Sequence, residues 1–391
     1  MNHVATRLRP FGETIFTTIS ALAQKHGAVN LGQGFPDFDG PDFVKQAAVD
    51  AIRAGHGQYA RMFGIPALNA AIAHDFGRRS GMAVDPEREV TVTSGCTEAI
   101  AAALLGLLEP GDDVILIEPY YDSYRACVAM AGATAHFVRL RPPAFRLDAA
   151  ELASAITRRT RAILINTPHN PTGRVFDADE LAAVASIAQR HDLVVISDEV
   201  YERLVFEGQH VSIATLPGMR ERTLTLSSLG KTFSLTGWKI GWAIGPEPLT
   251  AAVRSAHQFL TFATSTPLQH AAVAALHADE GYFAGLLAEY RQRRSILLES
   301  LAAAGLKAFV PQGAYFVIAD CASLGFDDDV TFCQHLIEQV GVAAIPVSAF
   351  LHERRNCRTL VRFAFCKKEE TLREGGRRMR TAGGGRPGAG A

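Results

Sequence analysis

Residues 161–199 read RAILINTPHNPTGRVFDADELAAVASIAQRHDLVVISDE. Two short apolar runs, RAILINTP (161–168) and LVVISDE (193–199), flank a stretch with helical periodicity, DADELAAVASIAQRHD (177–192). Runs that are apolar along their whole length belong to strands buried on both faces. Two of them joined through a helix imply parallel strands in a helix-covered sheet. The same alternation spreads outward. DDVILIEP (112–119) precedes the helical SYRACVAMAG, which stops at Gly132, and RTLTLSSLG (222–230) and IGWAIGP (240–246) are further strand candidates. The fold class is α/β.

From about Glu247 to Ala304 the pattern is long and helical. The chain then changes character. KAFVP, AYFVIAD, VGVAAIP and TLVRFAF read as strands, with one helix, VTFCQHLIEQV (330–340), among them. The expected organisation is an N-terminal segment, 1–45, that joins a small α+β domain, 286–380, beside a large domain, 46–285. The Gly-rich TAGGGRPGAGA (381–391) reads as a disordered tail.

Composition narrows the partners. The 391 residues carry 39 Lys and Arg against 40 Asp and Glu, a net charge of −1. That balance gives no reason to expect nucleic acid or a membrane surface. No apolar run approaches the roughly 18 residues of a membrane span. MNHVATRLRPFGETIF at the N-terminus lacks the apolar core of a signal peptide. The six cysteines, at 96, 127, 321, 333, 357 and 366, form no C-x-x-C pair and no zinc-type spacing. They read as small buried hydrophobes in a reduced, cytoplasmic protein that needs no metal.

The chemistry gathers where strands end, since the ligand crevice of an open α/β sheet lies beyond the carboxyl ends of its strands. VTVTSGCTEAI (90–100) reads as strand, turn and a helix starting near Thr97. Ser94, Gly95, Cys96 and Thr97 therefore stand at a helix N-terminus, which suits a phosphate; a plain N-cap turn reads the same way. INTPHNPTG (165–173) sets Asn166 and Asn170 after a strand. ISDEVYERLVF (196–206) leaves Asp198 at a strand end, with Tyr201 three residues on. A strand-end carboxylate is also commonly a simple cap. SSLGKTFSLTGWKIGW (227–242) holds Lys231 and Lys239 in a run without an acidic residue. A lysine, an acid and a phosphate-ready turn are what pyridoxal phosphate requires.

These stretches resemble the class I aminotransferases of the fold-type I pyridoxal-phosphate enzymes. The closest likeness is to the branch of kynurenine, glutamine and bacterial methionine aminotransferases. It spans about Arg9 to Thr371 and includes NLGQGFPDFDGP (30–41), QYARMFG (58–64), EPYYDSY (118–124), PQGAYF (311–316), VAAIPVSAF (342–350) and LVRFAFCK (360–367). The resemblance implies a mostly parallel seven-stranded sheet between helices, plus a smaller α+β domain. It implies that Lys231 takes the cofactor aldehyde and moves the substrate proton, and that Asp198 pairs with the pyridine nitrogen. Tyr201 and Asn170 would bond the phenolic oxygen, and Tyr121 would stack on the ring. Gly95, Cys96, Thr97, Ser228 and Lys239 would hold the phosphate, with Tyr59 reaching across the interface of a homodimer. Arg362 would bind the substrate carboxylate, with Asn170 and Gly34 beside it.

Two positions depart from the family's habit. Lys239 stands where an arginine is frequent, and Cys96 where glycine or serine is. The implied activity moves an amino group from an aromatic, methionine, glutamine or kynurenine-type donor to a 2-oxo acid. Cysteine-conjugate β-lyase activity would use the same residues. N-succinyldiaminopimelate or aspartate transamination would need a second anion site, which the sequence does not locate. A nicotinamide dehydrogenase lacks its G-x-G-x-x-G, and a DNA-binding regulator lacks a spare segment for its module. Phe35, Tyr121, Phe262 and Phe350 are candidates for a roomy apolar pocket and equally for core.

Overall fold

Thirteen strands fall into three sheets among the described residues, 3–354 and 357–380 of this computed structural model. In chain order they are β1 (Val29–Asn30), β2 (Val90–Thr93), β3 (Asp113–Glu118), β4 (Thr134–Arg139), β5 (Thr160–Asn166), β6 (Val194–Asp198) and β7 (Thr223–Ser228), followed by β8 (Gly241–Ile244), β9 (Lys307–Phe309), β10 (Phe316–Asp320), β11 (Val342–Ala343), β12 (Ile345–Pro346) and β13 (Leu360–Ala364).

Seven strands build the central sheet in the order β2-β8-β7-β6-β5-β3-β4. Every pairing is parallel except the two made by β8. Burial explains the sequence pattern. Residues of β3 and β7 are buried at every position, and successive side chains serve opposite faces. Leu116, Leu164 and Ile196 join one apolar cluster. Their neighbours Ile115, Ile163 and Val195 join another across the sheet.

β4 lies outside the strands expected from the sequence. Its TAHFVR is half-exposed with only Val138 buried, the polar pattern of a sheet edge. The helix Ala178–Arg190 does follow its sequence signals. Asp177 caps it and Glu180 completes a reciprocal capping box.

The helical stretch from 247 to 304 is three helices, Glu247–Leu260, Thr266–Leu276 and Glu280–Ala303. The boundary expected at 285/286 falls inside the last, which runs on unbroken. The second sheet, β12-β13-β10-β9, is antiparallel. VGVAAIP, expected as one strand, is divided at Ala344: β11 pairs in parallel with β1, while β12 pairs with β13. The expected helix over 330–340 begins at Asp329 and changes to a π-helical turn at Leu336–Val340. The tail expected at 381–391 lies outside the described residues. No helix among them is long and apolar enough to cross a membrane.

Candidate active site

Because the parallel strands share a direction, β2, β5, β6 and β7 all end on one edge of the central sheet. β8 runs the other way, so it begins there: Gly241 pairs with both Thr93 and Ser228. Lys239, two residues before Gly241, is thereby delivered to the same edge as Lys231, three residues after β7. A cavity of about 280 Å³ opens at this edge. It is lined by Gly34, Gly95, Cys96, Thr97, Tyr121, Asn170, Asp198, Tyr201, Ser228, Lys231, Lys239 and Arg362. Of the residues to which the family resemblance assigns a role, Tyr59 alone lies elsewhere. It is 84% exposed, with its ring edge-on to Phe262 at 5.5 Å.

Asp198 is buried, and its carboxylate is shared among three donors. The Tyr124 hydroxyl donates to Oδ2 at 2.6 Å, the Val200 N–H to Oδ1 at 3.2 Å, and the Cys96 thiol also donates. Burial pushes its pKa above the ordinary carboxylate value, and the Tyr124, Val200 and Cys96 bonds and the Lys231 charge pull against it. Among the described residues no cation lies within ion-pair distance of it. The Cys96 thiol thus faces Asp198.

Lys231 sits on the short helix Leu229–Thr232, with Nζ 5.9 Å from the Tyr201 ring centre and 6.0 Å from that of Tyr315. Burial lowers its pKa. Cys366 and Asp198 oppose the shift, while Arg362 and Lys239 add to it. Lys239 is exposed and holds φ 54° and ψ 46°, a left-handed conformation that a Cβ disfavours. Its Nζ lies 3.1 Å from where a Cβ on Gly95 would stand. A Cβ on Gly241 would come within 2.6 Å of the Cys96 nitrogen. Both glycines let the turn at 94–97 close against β8. The helix behind that turn spans Gly95–Leu107, two residues earlier than expected.

Arg362, on β13, is 1% exposed. One terminal nitrogen donates to Asn170 Oδ1 at 2.9 Å and the other to Gly32 O at 2.8 Å, which leaves each with a free hydrogen. The guanidinium lies 4.2 Å over the Phe316 ring and 5.0 Å over that of Phe350. Burial lowers its pKa to about 10, so it stays charged at neutral pH. Gly34 backs onto Phe316, whose ring would lie 2.9 Å from an added Cβ, and its carbonyl accepts the Tyr315 hydroxyl at 2.7 Å.

Several lining residues carried no local signal in the sequence. Tyr124 sits on the helix Ser123–Met130 and reads there as core. Phe16 and Gln33 come from the N-terminal segment. Asn166 donates to the Asp198 carbonyl at 2.9 Å and accepts the Asn170 N–H at 2.7 Å, so one side chain ties two strand ends together. Of the apolar candidates, Phe35 and Tyr121 line the cavity. Phe350 is core beneath Arg362, and Phe262 is on the surface.

The donor set fits a phosphorylated pyridine aldehyde. Among the described residues a buried carboxylate has no cation at ion-pair distance, an enclosed amine lies nearby, and a helix N-terminus with a lysine beside it faces the same space.

Residues 26–378 match the family model of aminotransferase class I and II. The chain is 51% identical over 385 residues to a probable N-succinyldiaminopimelate aminotransferase of Mycobacterium tuberculosis, covering 96% of this chain and 97% of the relative. It is 42% identical over 376 residues to methionine aminotransferase of Escherichia coli, with 96% and 97% covered. The solved N-succinyldiaminopimelate aminotransferase of M. tuberculosis superposes with a TM-score of 0.95 at 51% identity, covering 97% of this chain and all of that one.

Tyr124→Phe removes one charge-assisted bond to Asp198, and turnover is expected to fall about tenfold, since such a bond is worth ~1.5 kcal/mol or more. Steady-state kinetics would check this, and wild-type turnover would remove Tyr124 from the account.

Proposed function

The chain belongs to the class I and II aminotransferases, which move amino groups between amino acids and 2-oxo acids with pyridoxal phosphate, and we propose how its own residues divide that work. When bound, pyridoxal phosphate supplies the electron sink that makes the substrate Cα–H acidic. Lys231 would hold the cofactor through its aldehyde, and its Nζ, when free and neutral, would be the group that moves the proton at the substrate Cα. Asp198 keeps the ring nitrogen protonated. Tyr201 donates to the phenolic oxygen. So does the Asn170 amide nitrogen, because its oxygen already accepts from Arg362. Arg362 grips the substrate carboxylate with the hydrogens it has left, and Gly34 allows the backbone to pass close by. Tyr121 stacks on the ring. The Gly95, Cys96 and Thr97 amides, the Ser228 hydroxyl and Lys239 hold the phosphate, joined by Tyr59 of the partner subunit.

The working form we propose is a cytoplasmic homodimer. Each chain has a large unit, 46–285, and a smaller one, 286–380, joined by 1–45. All six cysteines are free thiols, in keeping with a reducing compartment. Tyr59, Phe259, Leu260 and Phe262 are 84%, 87%, 48% and 46% exposed, an aromatic patch that a second copy would cover.

The donor side chain we propose is uncharged, of methionine, aromatic, glutamine or kynurenine type. One observation carries this. Among the described residues lining the cavity the cations are Lys231, Lys239 and Arg362, each with a role already, while Phe16, Phe35, Ile100, Val200 and Phe316 supply apolar wall. A second reading, N-succinyldiaminopimelate, is favoured by the 51% identical relative. Aspartate finds no second cation. β-Elimination from cysteine conjugates would use the same groups as a side activity.

With 2-oxoglutarate as acceptor, methionine and phenylalanine should exceed aspartate and N-succinyldiaminopimelate at least tenfold in kcat/KM, about the effect of one unpaired carboxylate. The reverse order would overturn the substrate reading. Lys231→Ala should abolish transamination. In the wild type, kcat should fall as pH drops through a lysine pKa below the ordinary 10.5, because only the neutral amine can take a proton; a flat acid limb would contradict that role. Phe259→Asp should yield a monomer by light scattering, and an intact dimer would move the interface elsewhere.

A further inference from the structure

Behind the turn at 94–97 lies a buried pair that the catalytic account leaves unused. His257, on the helix Glu247–Leu260, has no exposed side-chain surface. Its Nδ1 lies 2.6 Å from Glu98 Oε1 and its Nε2 2.7 Å from the Met62 carbonyl. A carbonyl only accepts, so Nε2 carries a hydrogen. The other carboxylate oxygen of Glu98 accepts the Ser94 N–H, and the Thr261 side chain also bonds Glu98. The lowered Glu98 pKa and the raised His257 pKa both favour a charged pair, in which Nδ1 carries a hydrogen as well and the ring is an imidazolium.

We propose that the His257–Glu98 pair is a positioning strut for cofactor-phosphate binding, joining the phosphate turn Ser94–Thr97 to the segment that carries Tyr59. This rests on the reading that the turn holds the phosphate. Two physical effects support the strut. Glu98 bonds the Ser94 N–H and so sets the turn, leaving the Gly95, Cys96 and Thr97 amides for a ligand. Glu98 also puts a negative charge in the first turn of a helix whose N-terminus is to receive a dianion. His257 cancels that charge, and through Met62 it holds the segment three residues from Tyr59.

The charged groups facing the ring are few. Glu98 comes from the helix Gly95–Leu107, and Arg254 lies one turn earlier on the ring's own helix. Arg61, beside Met62, is engaged by Glu87. The packed strands β2 and β8, VTVT and GWAI, carry no charge. Burial works against the charged ring, but the Glu98 bond and charge raise the His257 pKa overall. Burial likewise opposes the Glu98 charge, and the His257 bond lowers its pKa overall. The two shifts widen the pH window in which the pair is intact. It is lost as pH rises through the raised His257 pKa or falls through the lowered Glu98 pKa.

The test titrates apo wild type, His257→Gln and Glu98→Gln with pyridoxal 5′-phosphate and, separately, with pyridoxal, which lacks the phosphate. His257→Gln leaves Glu98 uncompensated, and its Kd for pyridoxal 5′-phosphate should rise about tenfold while that for pyridoxal stays within about twofold. Glu98→Gln loses the tie and the repulsive charge together, so a rise of about threefold is expected, again for the phosphorylated ligand alone. Above pH ~7, where the phosphate is already dianionic, wild-type affinity should decline through the His257 pKa more steeply than that of His257→Gln. Equal losses for both ligands, or none, would overturn the strut. If His257→Gln does not fold, the isosteric Glu98→Gln decides alone. Absence of pyridoxal 5′-phosphate binding by the wild type would instead overturn the phosphate-turn reading itself.

Discussion

An enclosed carboxylate with no cation at ion-pair distance among the described residues is the constraint on which the site turns. Asp198 ends β6, where its backbone carbonyl is already taken by Asn166 and the Thr167 N–H. Its side chain is stabilised by Tyr124, Val200 and Cys96, all of which favour the ionised form. Hydrogen bonds soften the desolvation penalty of a buried anion without removing it. A cationic heterocycle placed beside Asp198 would complete the arrangement, and burial would strengthen the pairing through the low local polarisability.

The three cations around the cavity differ in exposure, and their chemistry follows from that difference. Lys231 is enclosed and has its pKa lowered, which suits an amine that must spend time neutral. Lys239 is exposed in a strained left-handed conformation, a compact charge aimed at the helix N-terminus. Arg362 is the most buried, yet it remains protonated because a guanidinium starts so high. Aromatic faces on two sides and the Asn170 and Gly32 oxygens hold it in one plane, so its remaining hydrogens point in fixed directions. One sheet edge thus offers a proton carrier, an anion anchor and a carboxylate clamp within a cavity of about 280 Å³.

Much of this is legible in the amino-acid sequence because of one regularity. Polar residues that end largely apolar runs, such as Asp198 after VVIS and Ser228 before Lys231, stand at the crevice beyond the sheet. The seven-stranded sheet follows the same logic, except at β4, where an edge strand lacks the apolar run that marks its neighbours. What stays hidden depends on distant contacts. Tyr124 lies on a helix whose apolar face looks like core until Asp198 arrives 74 residues later. The Cys96 thiol likewise approaches Asp198 from another strand end. VGVAAIP reads as one strand because nothing local announces that β11 and β12 serve different sheets. Tyr59 is legible as a motif residue, but it lies outside the cavity of its own chain.

The central claim is that Asp198 exists to hold a pyridinium. The most direct measurement is the ¹⁵N chemical shift of ring-labelled pyridoxal phosphate bound to the wild-type protein. The account predicts the shift of a protonated ring nitrogen, constant across neutral pH and lost in Asp198→Ala. A neutral-pyridine shift in the wild type would contradict it.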